Sequence, residues 1–258
     1  MLQNKKGLVF GIANDHSIDW GIAKSLSDQG AELALTYQNE ILYKRIEPLA
    51  KTINTKLLLP CDVTKIEEVD ECFNKILKTW GKIDFVIHAI AYSNKEELAG
   101  RYIDTSLENF NKTLNISCFS LTQIAKRSIS LMKEGGSIVT LSFYGGEKVI
   151  PNYNVMGVAK AALETSVKYL SIDLGTEKIR INAISAGPMR TLSGAAIKNS
   201  REIFNFTKNN SPLNRNADLS EIGNSAVYLV SDLSSAVTGE VLYVDCGYNI
   251  IGIPKKSI

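Results

Sequence analysis

Short apolar runs alternate with stretches of helical periodicity along most of the chain. The apolar runs end at glycine, proline or polar residues, as is typical of strands buried in a parallel sheet. They cover residues 7–12, 31–37, 56–60, 83–89, 136–143, 179–185 and 241–244. This alternation predicts an α/β chain with a doubly wound, seven-stranded parallel sheet, right-handed crossovers and helices on both faces.

The helical stretches lie between these strands. One runs over residues 66–80, one long helix is predicted over residues 107–132, and an amphipathic stretch covers residues 219–233. Residues 193–211 are small, polar and charged, a composition that suits a lid over a binding site. Because neither a linker nor a repeat interrupts the alternation, residues 1–258 are predicted to form a single domain.

A strand-to-helix crossing at residues 140–164 carries the strongest chemical pattern. The strand breaks at two glycines, and a helix then begins near Tyr153 and carries Lys160. Seven residues make about two helical turns, so both side chains lie on one face, where the ammonium would strengthen the phenol as a donor. The alternative is that Tyr153 is an ordinary half-buried helix residue and Lys160 a solvated one, because the spacing would be the same. Tyr144 and Lys148 form a rival pair, which the glycines between them keep off a common helix face.

The turn after the first strand suits a dinucleotide. Gly11 permits a sharp turn and the close approach of a pyrophosphate, and Ser17 or Asp19 can cap the following helix, whose N-terminus attracts phosphate. An ordinary capped turn between strand and helix is the alternative. At the tip of the second strand, Gln38 can bond a ribose hydroxyl and Glu40 would repel a 2′-phosphate, which favours NADH. Because basic residues lie further along the next helix, NADPH remains an alternative cofactor.

Composition narrows the classes of function. The chain has 258 residues, of which 45% are hydrophobic and 22% charged, and its net charge of +2 favours neither nucleic-acid nor membrane binding. Four scattered cysteines and two histidines fit neither a metal site nor a disulfide framework, and His88 is expected to pack internally. The apolar run near the N-terminus is too short for a membrane span and is not followed by a cleavage site, so a cytoplasmic location is expected.

Several segments together resemble one family, and the resemblance covers nearly the whole chain. They are Gly11-x5-Ser17-Ile18-x2-Gly21, Cys61-Asp62-Val63, residues 151–160 and residues 182–192. These segments look like the bacterial enoyl-[acyl-carrier-protein] reductases that use NADH, a divergent branch of the short-chain dehydrogenases/reductases. The spacing of six residues between tyrosine and lysine is typical of this branch, whereas the parent family has three between them.

The resemblance implies a Rossmann-type domain that reduces trans-2-enoyl thioesters on acyl carrier protein with NADH, in fatty-acid elongation. Tyr153 would bond the thioester carbonyl, Lys160 the nicotinamide ribose, and Ser93 would line the substrate pocket. The implied cofactor contacts are Gly11, Ser17, Ile18, Gln38, Asp62, Val63, Ile90, Lys160, Met189, Thr191, Leu192 and Ser193.

One position departs from the family pattern. The family often carries a second tyrosine ten residues before the catalytic one, where this chain has Phe143. Phe143 is expected to pack over the pocket while Tyr153 acts as the donor. Tyr144 follows directly, and whether it takes the missing role stays open, although adjacent strand residues point to opposite faces, which argues against it.

The resemblance also implies partners. Lys198 and Arg201 match basic positions beside the lid that would dock the acidic carrier protein, although Glu202 stands at a third such position. A solvated helix face is the alternative for the two basic residues. A homotetramer is expected because the parent family commonly forms tetramers. Two other functions stay open, a carbonyl reductase acting on ketoacyl substrates and a dinucleotide-binding regulator without catalysis.

Overall fold

Seven parallel strands form a single sheet in this computed structural model, which describes residues 1–195 and 197–255. The strands are β1 (Lys6–Phe10), β2 (Glu32–Tyr37), β3 (Leu57–Pro60), β4 (Phe85–His88), β5 (Gly136–Ser142), β6 (Ile179–Ala186) and β7 (Val241–Val244). Their order across the sheet is β3-β2-β1-β4-β5-β6-β7, and every neighbouring pair is parallel. The predicted doubly wound sheet is confirmed.

Helices cover both faces of this sheet. They are α1 (Ile18–Asp28), α2 (Glu40–Thr52), α3 (Ile66–Trp80), α4 (Lys95–Leu98), α5 (Leu107–Leu114), α6 (Ser120–Ser128), α7 (Asn154–Gly175), α8 (Leu192–Ala195), α9 (Ser200–Asn210) and α10 (Leu219–Val230). Leu8 and Phe10 of β1 pack with α3, α6 and α7, whereas Val9 packs with α1, α2 and α10. Because each central strand is buried on both faces, its sequence is a nearly continuous apolar run.

The direction of chain winding reverses at β1. From β1 the chain builds outward to β2 and β3, and it then returns to place β4 on the other side of β1. The connections on the two sides of this point cross opposite faces of the sheet, which leaves a crevice at the carboxyl ends of β1 and β4. The candidate site begins at this crevice and continues along the ends of β5 and β6.

The helix predicted over residues 107–132 is interrupted. After α5, Asn115–Phe119 forms a π-helical turn before α6 begins. The Ser117 hydroxyl accepts a hydrogen bond from the Tyr92 amide at 2.9 Å and donates one to the Tyr92 carbonyl at 3.1 Å. This contact ties the turn to the loop after β4. It depends on a residue distant in sequence, so helical periodicity does not reveal it.

The segment predicted to be a lid, residues 193–211, contains helical structure. It includes most of α8 and all of α9, while Ala196 lies outside the described residues. Side chains of α9 face the ends of the strands and line a large cavity there. Closure of this segment over a ligand stays a prediction. Among the described residues, every helix falls short of the length and apolarity that a membrane span requires.

Candidate active site

The turn after β1 brings backbone close to the end of β4. Gly11 has a φ of 113°, and a Cβ built on it would lie 2.2 Å from the Ala89 carbonyl oxygen. Only glycine fits this approach. Ser17 precedes α1, and its hydroxyl donates to the Asn14 carbonyl at 2.6 Å instead of capping the helix. The amides of the first helical turn, beginning at Ile18, are therefore available to an anion.

A buried carboxyl lies beneath this turn. Asp19 is 3% exposed, and its Oδ2 atom has no hydrogen-bond partner among the described residues. Oδ2 lies 3.0 Å from the position that a Cβ on Gly11 would occupy. Burial raises the pKa of Asp19 to about 7, and hydrogen bonds involving Ser17 and nearby backbone oppose the rise. Asp19 is thus not the helix cap that the sequence allowed but a carboxyl enclosed under the turn after β1.

The ends of β2 and β3 form a polar pair. The Gln38 side-chain amide donates to Asp62 Oδ2 at 3.1 Å, and the Asp62 amide donates to Glu68 at 2.8 Å. Val63 is buried directly beside them. The structure thus brings together the residues predicted for the adenosine end. Carboxylates at this edge, with Glu40 at the start of α2, disfavour a 2′-phosphate by charge repulsion.

Tyr153 and Lys160 lie at the start of α7, beside the end of β5. Tyr153 is the residue just before the helix, and the two side chains are 7% and 6% exposed. The Phe143 ring packs edge-on against the Tyr153 ring, with centroids 5.0 Å apart at 71°. Lys160 Nζ donates to the Leu141 carbonyl at 2.6 Å. Lys160 is therefore not the solvated residue that the spacing alone allowed, and Tyr153 is buried rather than half-buried.

The buried surroundings set the protonation of this pair. Burial lowers the pKa of Lys160 to about 8, while Glu164 raises it. Burial raises the pKa of Tyr153, and Glu164 adds to that rise. At neutral pH the site therefore presents an ammonium and a neutral phenol, which both donate hydrogen bonds. Glu164 was missed by sequence reasoning, although its place four residues after Lys160 was a usable signal.

His88 belongs to a buried hydrogen-bond network at the end of β4. It is fully buried at the end of β4, with Nδ1 2.8 Å from the Thr140 hydroxyl and Nε2 2.8 Å from the Ser120 hydroxyl. Burial, together with the positive charge of Lys160, lowers the pKa of His88 to about 3. His88 is neutral and structurally engaged, as the prediction of internal packing stated.

The glycines between β5 and α7 allow the two elements to touch. A Cβ on Gly157, in the first turns of α7, would lie 2.7 Å from the Gly145 carbonyl oxygen. A Cβ on Gly145 would lie 2.5 Å from the Tyr153 ring. The absence of side chains at these positions lets the turn lie flat against the helix. It therefore fixes the position of Tyr153 relative to the end of β5.

The rival pair is separated by this same turn. Tyr144 is buried and packs against Tyr243 and Tyr248, whereas Lys148 is exposed and paired with Glu147 at 3.2 Å. The expectation that Phe143 and Tyr144 lie on opposite faces of a strand is not met. β5 ends at Ser142, so Phe143 and Tyr144 follow the strand, and both line the same cavity.

The cavity has a volume of about 590 Å³ and lies between the β5–α7 turn, α9 and the residues after β7. Its apolar wall includes Phe143, Tyr144, Val149, Ile150, Ile203, Phe206 and Tyr248. Its polar wall includes Asn152, Asn199, Glu202, Thr207 and Asp245. Phe143 belongs both to this wall and to the contact with Tyr153, so the Tyr153 ring lies directly behind this part of the wall.

The remaining predicted contacts lie around this edge. The loop after β6 carries Met189 and Thr191, and the Thr191 hydroxyl accepts from the Gly194 amide at 2.9 Å. Leu192 is half exposed at the start of α8, and the side chain of Ser193 lies outside the described part of the chain. Ile90 follows β4 and is half-buried.

Ser93 is turned toward α5. Its hydroxyl accepts hydrogen bonds from Thr113 at 3.0 Å and from the Asn109 amide at 3.2 Å. It is thus part of a polar contact that fixes the loop after β4. Its predicted role in the substrate pocket stays a prediction.

The space and the hydrogen-bond donors that these residues provide suit a dinucleotide. Gly11 removes the side chain that would obstruct a pyrophosphate, the first turn of α1 presents amides, and the Lys160 ammonium suits ribose hydroxyls. By contrast, no group of three or more His, Cys, Asp or Glu side chains within residues 1–195 and 197–255 could hold a metal ion.

Comparison with known proteins agrees with this geometry. The family model described as "Enoyl-(Acyl carrier protein) reductase" matches residues 11–249. The chain is 57% identical to the enoyl-[acyl-carrier-protein] reductase [NADH] 2 of Rhizobium meliloti, over 98% of this chain and 95% of that protein. The chain belongs to the enoyl-[acyl-carrier-protein] reductase family.

Other members of the enoyl-[acyl-carrier-protein] reductase family are similar over their full length. The enoyl-[acyl-carrier-protein] reductase [NADH] of Rickettsia typhi is 53% identical, over 99% of this chain and 98% of that protein. The crystal structure of the Anaplasma phagocytophilum reductase in complex with NAD superposes with a TM-score of 0.96 at 54% identity, covering 98% of this chain and 97% of that one. The family and fold expected from the sequence motifs are therefore confirmed.

Proposed function

We propose that this chain reduces trans-2-enoyl thioesters on acyl carrier protein to saturated acyl thioesters, with NADH as the reductant. The observation that carries the proposal is the buried Tyr153–Lys160 pair, held as phenol and ammonium between a dinucleotide-type turn and a large apolar cavity. The names of the relatives, which specify this substrate class and NADH, support it.

The side chains of the site have separable tasks in this reaction. Bound NADH would supply a hydride for the β-carbon of the enoyl group, and negative charge would then develop on the thioester oxygen. In this proposal the buried Tyr153 hydroxyl donates to that oxygen, because a donor fixed in a water-poor site stabilises such charge strongly. Lys160 would hold the nicotinamide ribose and favour hydrogen-bond donation by the phenol. The α-carbon finally accepts a proton, which completes the saturated product.

The cavity suits the acyl chain. Its volume of about 590 Å³ lies within the usual range of roughly 300–1,000 Å³ for ligand pockets, and its wall is mainly apolar. Phe143 connects this wall to Tyr153, so a chain lying in the cavity could keep its thioester beside the phenol. In this proposal Phe143 orients substrate by packing and Tyr153 alone donates.

The two rival functions account for fewer features of the site than enoyl reduction does. A ketoacyl reductase of the parent family would carry its lysine four residues after the tyrosine, where this chain has Gly157 packed against Gly145. A regulator without catalysis would not need a phenol and an ammonium buried beside a cavity, which carries a desolvation cost. Turnover of a ketoacyl but not an enoyl thioester would favour the first, and NADH binding without any turnover would favour the second.

Docking of the carrier protein is proposed at Lys198 and Arg201. Both side chains are exposed at the start of the segment that covers the cavity, and the Lys198 carbonyl accepts from Asn152 at 3.1 Å. Positive charge beside the cavity mouth would attract an acidic carrier. Glu202 instead lies in the cavity wall. We also propose that the chain forms a homotetramer.

The test is NADH oxidation with crotonyl thioesters. Tyr153→Phe should lower kcat by about 10²-fold, because it removes one preorganised donor to the oxyanion, with NADH affinity retained. Lys160→Ala should weaken NADH binding as well as kcat. Lys168→Ala, an exposed lysine on the same helix, is the matched control and should behave as wild type. Normal turnover in Lys160→Ala would contradict the role assigned to Lys160.

The same assay separates carrier docking from chemistry. Lys198→Glu combined with Arg201→Glu should raise KM for crotonyl-carrier protein about tenfold or more, because rim charges steer a charged partner. The small, uncharged N-acetylcysteamine thioester should show no change. An equal rise in KM for both substrates would exclude a docking role for the two residues.

A further inference from the structure

Two consecutive turns of α7 are joined to two consecutive residues of β5. Lys160 and Glu164 lie four residues apart, so their side chains leave the same face of the helix. Lys160 Nζ donates to the Leu141 carbonyl at 2.6 Å, and the Ser142 hydroxyl donates to Glu164 Oε1. The carboxylate is thus fixed by the strand end that also holds the ammonium.

This carboxylate lies where its charge can act on both catalytic side chains. Glu164 is half-buried, whereas Tyr153 and Lys160 are almost completely buried, so water screens the interactions little. Apart from burial itself, Glu164 is the largest influence on the pKa of Lys160 and on that of Tyr153, and it raises both. A single negative charge therefore favours the protonated forms of two groups that must donate hydrogen bonds.

The other ionisable neighbours do not replace this charge. Around Glu164 they are Lys160 and Lys168 on α7, Glu147 and Lys148 on the β5–α7 turn, and Tyr243 on β7, while Lys160 also faces Cys118 and His88. Glu147 accepts a hydrogen bond from Tyr243 at 2.7 Å and pairs with Lys148 at 3.2 Å, and it is not among the charges that shift the pKa of Lys160 or Tyr153. His88 is neutral at the pH of the reaction.

We propose that Glu164, held by Ser142, is a positioning residue that keeps Lys160 charged over the working pH range. It acts through Lys160 and does not touch the substrate. The inference rests on the proposed function, in which Lys160 holds the ribose as an ammonium and Tyr153 donates to the thioester oxygen. Burial raises the pKa of Glu164 itself, and the Ser142 hydroxyl and Lys160 oppose that rise and favour the carboxylate.

The test is the pH dependence of catalysis and of NADH affinity in Glu164→Gln. Without the carboxylate, Lys160 loses its proton at lower pH, so the alkaline decline of kcat/KM should move down by about one pH unit or more. NADH affinity, followed by fluorescence titration, should decline over the same shifted range. Below the shifted range the variant should approach wild-type kcat, because an amide keeps the shape of the side chain and can still accept from Ser142.

Two further variants distinguish electrostatics from structure. Glu164→Asp keeps the charge and should leave the alkaline decline near its wild-type position, while Asp173→Asn removes an exposed carboxylate from the same helix and should shift nothing. A uniform loss of activity without a shift, or an equal shift in Asp173→Asn, would overturn the inference. If the wild-type chain bound NADH but did not reduce enoyl thioesters, the proposed function would fail, and the NADH titration would still decide the role of Glu164.

Discussion

Burial changes what the ionisable side chains of this site can do. Lys160, Tyr153 and His88 all lose contact with water, and each is displaced toward its neutral form, as desolvation requires. For Lys160 the effect is opposed by Glu164, so the ammonium survives at neutral pH. For Asp19 no such opposing charge is present among the described residues, and burial places its titration near neutrality. The chemistry of the site thus depends on which buried groups have a partner.

Asp19→Asn should flatten the dependence of folding stability on pH. The pKa of Asp19 is about 7 in the folded chain against an ordinary value of 3.8, so the folded state binds more protons between these values. Stability therefore falls as pH rises from about 4 to about 7, by an amount on the order of 4 kcal/mol if the whole shift is realised. The asparagine variant lacks this loss and should gain stability over wild type at pH 8.

Urea unfolding midpoints at pH 5 and pH 8 measure the effect. Asp28→Asn is the matched control, because Asp28 lies on the same helix, is exposed, and pairs with Lys24 at 2.9 Å. The control should change little at either pH, since exposed ion pairs contribute little. An Asp19→Asn variant with the same pH dependence as wild type would show that Asp19 is ionised in the folded chain.

Close contacts between backbones help to position the elements of the site. The β5–α7 turn lies against α7 because Gly145 and Gly157 have no Cβ, and this contact places Tyr153 beside Phe143. The N-terminus of α1 is presented to the crevice because Gly11 allows close approach to Ala89. Each proposed catalytic position thus depends on how closely two elements approach, and an added methyl group would force them apart.

Gly157→Ala should lower kcat by about 10²-fold, because the added Cβ would lie 2.7 Å from the Gly145 carbonyl and force α7 away from the turn. Gly175→Ala, at the other end of α7, is the matched control, since a Cβ there meets no atom within 4 Å. Both substitutions raise helix propensity equally. Steady-state kinetics with crotonyl thioester should therefore show the loss only at Gly157. Equal activity of the two variants would show that the turn does not position Tyr153.

At the scale of the whole molecule, the sheet topology collects residues from distant parts of the chain. The reversal of winding at β1 places the turns after β1 and β4 side by side, and β5 and β6 extend the same edge toward the cavity. The outer face of α7 carries Tyr169 and Ile172, which are 75% and 76% exposed. Large apolar side chains with this exposure on one helix face favour contact with another protein surface.

Light scattering should therefore give a mass near four times the 28.3 kDa of one chain. Tyr169→Asp combined with Ile172→Asp should reduce that mass, because it places charge on the proposed contact face. Leu77→Asp, at an exposed apolar position on α3, is the control and should leave the mass unchanged. A wild-type chain that is monomeric at micromolar concentration would contradict the tetramer.

Local pattern determined the order of the strands and the single parallel sheet, and the resemblance of several motifs indicated the family. Apolar runs mark strands buried on both faces, and the glycine turn and the Tyr153–Lys160 spacing mark the edge where ligands bind. Only the tertiary structure decided how the site residues are used. It showed the π-helical turn, the burial of Asp19, the bond from Ser142 to Glu164, and the common cavity of Phe143 and Tyr144. These features arise from contacts between segments distant in sequence. The burial that shifts the pKa values exists only once such contacts form.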